Sequence, residues 1–294
     1  MIRKLDLFLV LTVCVISLLC IESISDAAQS TIVVAEGYSC MGVDKSRKQT
    51  EQDAKTDVKR NAVENAKTYI KSQTQVKDFQ TESDLIEAYS NGTVTIIEEL
   101  KSGSGWYKDP TLGDCFRIKA KAEVIPNEKA MAAMSKNTAM SDDAAGPLNV
   151  KVWTEKKEYH KGEYVRVYLK GNRPFYARVL YRDVKGKLLQ ILPNPYRNEN
   201  YFHGGIVYEI PSGNDQFQLE VSPPFGDEQI ILYASTAPLG EIDLEESGAV
   251  YGVKTRSKDI GMKTRGIKLV TGGTKNQPAG AEYREIKIEL KTKK

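Results

Sequence analysis

Along the first third of the chain the spacing of apolar residues changes from strand-like to helical and back. Residues 32–41 are mostly apolar and open on β-branched side chains, the pattern of a buried strand. From Ser46 the period lengthens. Ala54, Val58, Ala62, Ala66 and Ile70 recur every four residues, with Val63 and Tyr69 widening the stripe, which predicts a helix to about residue 72. Ser46-Arg47-Lys48-Gln49 fits a capping box, in which hydroxyl and amide satisfy orphan backbone donors. The opposite face carries Lys55, Lys59, Arg60, Glu64 and Lys67 and reads as solvated surface. A short helix over 82–89 stops at Asn91-Gly92. Val94, Ile96 and Leu100 then mark a strand, and a Gly-rich turn holds Trp106 and Tyr107. Phe116, Ile118, Ala120, Ala122 and Val124 alternate with Arg117, Lys119, Lys121 and Glu123, giving a last strand with one dry and one wet face. The order β-α-(α)-β-β predicts a small α+β domain over residues 31–126, a helix on an antiparallel sheet.

Residues 127–147 mix Ala, Met, Ser and Asp and read as a linker, helical near 128–134 and ending at Gly146-Pro147. Beyond it come seven short apolar runs separated by turn signals: 148–154, 164–169, 175–183, 188–192, 206–210, 217–221 and 229–235. That pattern predicts an all-β immunoglobulin-like sandwich over 148–240. Residues 241–294 form a basic extension with a final strand at about 283–291.

The chain opens like an export leader. Arg3 and Lys4 precede an apolar run over 7–21, and Ser25 and Ala27 occupy the −3 and −1 positions, so residues 1–27 are expected to be a signal peptide. A membrane anchor is the rival, but the run is shorter than the ~20 apolar residues a spanning helix needs. Lipidation at Cys20 is a second rival, and Leu18-Leu19 stands where a small residue should precede that cysteine. Removing the leader takes two basic and three acidic residues, so a net charge of +3 becomes +4. Charges of both signs are interspersed, which argues against a nucleic-acid partner. The expected location is the periplasm or cell envelope.

Of four cysteines, Cys14 and Cys20 leave with the leader. Cys40 and Cys115 remain, and in an oxidising compartment a disulfide is their simplest use. Cys40 closes the first strand and Cys115 opens the last, so an antiparallel sheet would bring them together.

Two resemblances follow from particular residues. The Ala35-Glu36-Gly37 strand, the Ala-spaced helix and the Gly-Trp-Tyr turn before a Phe-led strand resemble small envelope domains, among them the N-terminal domain of the flagellar T-ring protein. That likeness implies a secreted interaction module. The second half carries Val152-Trp153-Thr154, Tyr159, Gly162-Glu163, Leu192-Pro193-Asn194, Ile210-Pro211 and Pro223-Pro224-Phe225-Gly226 in order. Over residues 148–237 it resembles the bacterial domain-of-unknown-function family 4384. The resemblance implies an accessory or recognition module and supplies no functional residues.

Candidate chemistry is thin. With only two histidines, His160 and His203, zinc-protease signatures are absent, and no G-x-S-x-G elbow or phosphate loop occurs. Gly272-Gly273-Thr274-Lys275 lacks the spacing of a phosphate loop, and turn glycines explain His203-Gly204-Gly205. No catalytic residue, metal ligand or cofactor site is expected, and the protein reads as non-enzymatic. Eight tyrosines between residues 159 and 208 offer flat faces with a hydroxyl, suited to recognition or to sandwich packing. Tyr196, Arg197, Tyr201, Phe202 and His203, in the loop 193–204, form the candidate binding surface, with Tyr196, Tyr201 and Phe202 expected to be exposed. The expected partner is a protein or an envelope polymer. The stretch from Lys254 to Lys294 holds twelve basic and four acidic residues, which suggests peripheral contact with an anionic surface or a solvated, Gly-rich excursion.

Overall fold

The computed structural model describes residues 27–74, 79–135, 142–267 and 279–294. The expected leader, all but its last residue, lies outside them, as do the middle of the expected linker and Gly272-Gly273-Thr274-Lys275. Among the described residues no helix is long and apolar enough to cross a membrane. The protein is rich in antiparallel β-structure with a few helices.

Strand β1 (Ala27–Cys40) pairs antiparallel with β3 (Gly113–Ile125), and β3 with β2 (Thr93–Asp109). Helix α1 (Arg47–Gln73) lies across this sheet. Its four-residue stripe does what the spacing predicts: Ala54, Val58, Ala62, Ala66 and Ile70 are buried against Val33, Ala35, Ile118, Ala120 and Ala122. Alanine facing alanine lets the backbones approach closely. At Gly37 an added Cβ would collide with the Val58 amide nitrogen and come within 2.7 Å of the Ala54 carbonyl oxygen. Ser46 caps α1 by accepting from the Gln49 N–H, but the Gln49 side chain donates to Asp53 at 3.0 Å instead of returning to Ser46. The box is half made because a charge-assisted bond from Nε2 to the Asp53 carboxylate, one turn on, turns the Gln49 amide away from the Ser46 N–H it would accept from. Helix α2 (Phe79–Ser90) adds Leu85 and Tyr89 to the same core.

Cys40 and Cys115 sit opposite each other in the β1–β3 register and are joined by a disulfide. The expected Gly-rich turn around Trp106 is not a turn. β2 runs through it to Asp109, with irregular register between Leu100 and Gly105. Ser104 stitches the gap: its Oγ accepts from the Lys119 N–H at 2.9 Å and donates to the Leu100 carbonyl at 2.6 Å. Trp106 and Tyr107 therefore stand opposite Phe116 and Cys115.

After a short helix α3 (Glu128–Ser135) the chain builds β4 (Val150–Thr154), β5 (Glu158–His160), β6 (Val167–Gly171), β7 (Phe175–Arg182), β8 (Leu188–Leu192), β9 (Tyr201–Phe202), β10 (Val207–Ile210) and β11 (Asp227–Ser235). β10, β6 and β4 form a three-stranded sheet. Val150, Val152, Val167 and Leu169 from it share one core with Ala177, Val179, Ile230 and Leu232 of the larger sheet. The expected strand 217–221 forms no ladder, yet its alternation holds. Phe217 and Val221 are buried, and the run is tied to 162–165 by bonds such as Val165 N–H to the Leu219 carbonyl at 2.8 Å.

The described residues after 240, which leave out 268–278, are not a solvated excursion. They form the hairpin β12 (Leu244–Ser247) and β13 (Val250–Val253), then helix α4 (Ser257–Arg265), then β14 (Gly280–Lys293). β14 pairs with β1 along Gly280–Ile286 on one edge, and with β11 along Tyr283–Lys291 on the other. The main sheet therefore runs unbroken through both halves, in the order β12-β13-β8-β7-β11-β14-β1-β3-β2. Most cations of the basic stretch meet acids: Arg256–Asp259 at 2.6 Å, Lys263–Asp243 at 2.5 Å, Arg265–Glu123 at 2.7 Å and Lys293–Glu158 at 2.7 Å. Glu123 is accordingly buried, although alternation placed it on the wet face of β3.

Where the halves meet, β14 carries a buried polar seam. Glu282, 1% exposed, accepts from the Leu148 N–H and from Arg173 Nη1 at 3.0 Å. Arg284 donates to the Leu148 carbonyl at 3.1 Å and to Asn149 Oδ1 at 3.0 Å. Burial pushes the Glu282 carboxyl up and the Arg284 guanidinium down, so desolvation outweighs the attraction each receives.

Candidate binding surface around the 193–204 loop

The loop after β8 is held from below by polar side chains. Asn194 is fully buried; its Nδ2 donates to the Ile191 carbonyl at 2.8 Å, and its Oδ1 accepts from the N–H groups of Tyr196 and Arg197 at 2.9 and 2.8 Å. This is the Asx turn that asparagine favours, because a short amide can mimic the backbone. Arg197, expected at the binding surface, is instead a strut. Its Nη1 lies 2.9 Å from Asp215 Oδ2 and 3.1 Å from the Glu209 carbonyl, and both charged side chains are largely covered. Arginine serves here because its forked donors can bridge a carboxylate and a carbonyl at once.

β9 then pairs with β7, Tyr201 opposite Tyr176 and Phe202 opposite Phe175. Strand alternation sends successive side chains to opposite faces, so the expected exposure of Phe202 is wrong. It is completely buried, with ring centroids 5.5 Å from Phe175 and 4.7 Å from Tyr208. Tyr201 points outward and is 39% exposed. It meets Tyr176 at 5.0 Å and His203 at 5.5 Å. Tyr196 is 54% exposed at the turn. His203 is exposed, and its N–H donates to the Tyr208 hydroxyl at 3.0 Å. Next to it, Gly204 passes so close to Arg173 that an added Cβ would lie 2.5 Å from its Cα, and Gly205 turns the chain with a φ of 79°, which together account for the glycine pair.

The surface is thus Tyr201, His203 and Tyr176 together, with Tyr196 at the turn. Tyr176 was missed in the sequence because only the β7–β9 register brings it there. The geometry offers flat rings with hydroxyls and one imidazole. Among the described residues no group of three or more His, Cys, Asp and Glu could hold a metal ion. No curated protein and no solved structure matches the chain. Residues 158–238, from β5 to the loop after β11, match a family described as a domain of unknown function, DUF4384.

Proposed function

We propose that this is an exported, non-catalytic envelope protein that acts as a recognition module, taking a protein or an envelope polymer on the Tyr176–Tyr201–His203 surface with Tyr196. The observation that carries the reading is the division of labour in the loop: Asn194 and Phe202 are buried and the Arg197 side chain is largely covered, and these fix the backbone, while Tyr196, Tyr201 and His203 are left to solvent. Rings held on a rigid scaffold bind at low entropic cost. Export rests on the leader-like first 27 residues. In this reading β4 to β11 make an immunoglobulin-like sandwich, and residues 31–126 a small α+β module of the kind found in envelope proteins such as the flagellar T-ring protein. Tyr196→Ala with Tyr201→Ala should abolish capture of partners from envelope extract by the mature protein while its melting temperature stays within a few degrees. Unchanged capture by the double variant would refute the site.

A second reading, a structural subunit of a periplasmic or outer-membrane-associated assembly, is favoured by one observation. Trp153, Tyr164, Ile206 and Val207 are large, apolar and exposed on or beside the three-stranded sheet. Isolated exposed apolar residues are ordinary, but grouped ones mark contacts. Chemical cross-linking in intact cells separates the readings, since a subunit yields one stoichiometric neighbour through these residues.

A further inference from the structure

On the face of the long sheet opposite α1, a cleft of about 380 Å³ opens between β2, the strands β7, β11 and β14, and helix α4. Six charged side chains line it: Arg182, Lys258, Arg265 and Lys287 against Glu123 and Glu285. Four of these neutralise one another. Arg265 lies 2.7 Å from Glu123 and 3.2 Å from Glu285, and Lys287 lies 3.0 Å from Glu285. Arg182 on the sheet wall and Lys258 on the helix wall are left, and neither forms an ion pair among the described residues.

Neutral donors accompany these cations. Tyr233 lines the cleft and is only 4% exposed, so a largely covered phenol stands in its wall. A phenol hydroxyl both donates and accepts, so from this wall it can meet a ligand oxygen. Ser257 opens α4, and no side chain caps the first turn of that helix; the Asp259 N–H bonds to the Arg256 carbonyl at 2.8 Å, and the Ser257 and Lys258 amides add to the donors. Ile96, Ile97 and Met262 form an apolar wall. The volume falls within the range of small-molecule sites, roughly 300–1,000 Å³.

We propose that this cleft binds an organic anion, its phosphate or carboxylate head between Arg182 and Lys258 and its apolar portion against Ile96, Ile97 and Met262. Guanidinium and ammonium donors suit an oxyanion, and two unpaired cations facing one partly enclosed space repel each other until an anion enters. No lining residue belongs to the 193–204 loop, so this site stands or falls apart from the recognition surface.

The test is calorimetric titration and thermal melting of the full mature chain with hexyl phosphate, inorganic phosphate and hexanol. Hexyl phosphate should bind and raise the melting temperature. Hexanol and inorganic phosphate should each bind at least about tenfold more weakly, since each lacks one half of the ligand. Arg182→Ala with Lys258→Ala should weaken hexyl phosphate at least about tenfold without lowering the unliganded melting temperature. Tyr233→Phe, which keeps the ring, should weaken it by a smaller factor. Co-sedimentation with phosphatidylglycerol vesicles, lost in the same double variant, would assign a lipid headgroup; hexyl phosphate binding without vesicle capture would assign a soluble ester. No binding at millimolar hexyl phosphate, or equal binding by wild type and both variants, would overturn the proposal.

Discussion

Replacing Glu282 with alanine should weaken both halves of the protein at once. The carboxylate is buried on β14, accepts from Arg173 at 3.0 Å and from the Leu148 N–H, and has no route to water. Its removal leaves the Arg173 guanidinium, largely covered, without its counter-charge and a buried amide without an acceptor. Breaking one partner of a buried pair costs about 3–5 kcal/mol. With a urea slope of about 3 kcal/mol per molar for a chain of this size, the midpoint should fall by roughly 1–1.7 M. The two tryptophans supply the assay, one in each half: Trp106 on β2 and Trp153 on β4. Trp106→Phe and Trp153→Phe leave a single fluorescent reporter on either side of β14. Because β14 is a partner of β1 and of β11, both reporters should unfold at one midpoint and move together when Glu282 is lost. Arg173→Ala in the Glu282→Ala background should cost less than in wild type, a coupling of about 0.5–3 kcal/mol. Separate midpoints for the two reporters, or a shift below about 0.3 M, would refute the account of the seam.

Three further outcomes follow from particular contacts. Phe202→Ala should cost about 3–5 kcal/mol and Tyr201→Ala under about 1 kcal/mol in the same urea assay, since the first empties a core site and the second trims an exposed ring; similar losses would mean that β9 has the opposite facing. Cys40→Ala with Cys115→Ala should lose about 4 kcal/mol, the loop-closure value for a separation of 75 residues, and freely alkylated thiols in unreduced native protein would show that no bond forms. Burial holds the Glu282 carboxyl above its ordinary range, so the native state retains that proton to higher pH than the unfolded chain. The stability this contributes is present below the unfolded pKa and lost as pH rises through the folded one, so wild type should gain on Glu282→Gln as pH falls from 7, and parallel curves would contradict it.

Local periodicity made the elements near α1 legible. Ala54 to Ile70 marked a helix face, Phe116 to Val124 marked a strand, and the strand-end cysteines pointed to their own pairing. Each of these depends on neighbours within a few residues or on one repeated spacing. The misreadings share a different origin. Gly103 and Gly105 resemble turn residues, but Ser104 supplies the ladder bonds that the irregular register omits, so β2 continues. Glu123 sits on the polar side of an alternating strand, and it is covered there by Ser30 of β1 and by Arg265, which returns from the far end of the chain. Phe202 and Tyr201 are adjacent aromatics in one loop, and nothing in their composition says which faces inward until β7 fixes the register.

The same contrast bears on how the C-terminal half holds together. The matched family span, 158–238, contains β6 and β11 with one partner of each, β10 and β7, but their other partners, β4 and β14, lie outside it. Without those strands, β6 and β11 would each present an unpaired edge, which sheet proteins ordinarily cover or blunt. The core of that half would also lose Ile286 and Leu290, both on β14. β14 continues past this point to pair with β1, so one strand covers the free edge of β11 and joins that part of the sheet to the disulfide-bonded N-terminal strands. The charged cleft lies on that joined sheet and takes residues from both halves, Thr95 and Glu123 from one and Arg182 and Lys287 from the other. Neither half alone could form it. The 193–204 loop, by contrast, is supported by β7 and by contacts with Glu209 and Asp215, all within the family span. The Tyr176–Tyr201–His203 surface therefore lies wholly within the matched span, while the cleft depends on the joining of two sheets in this chain.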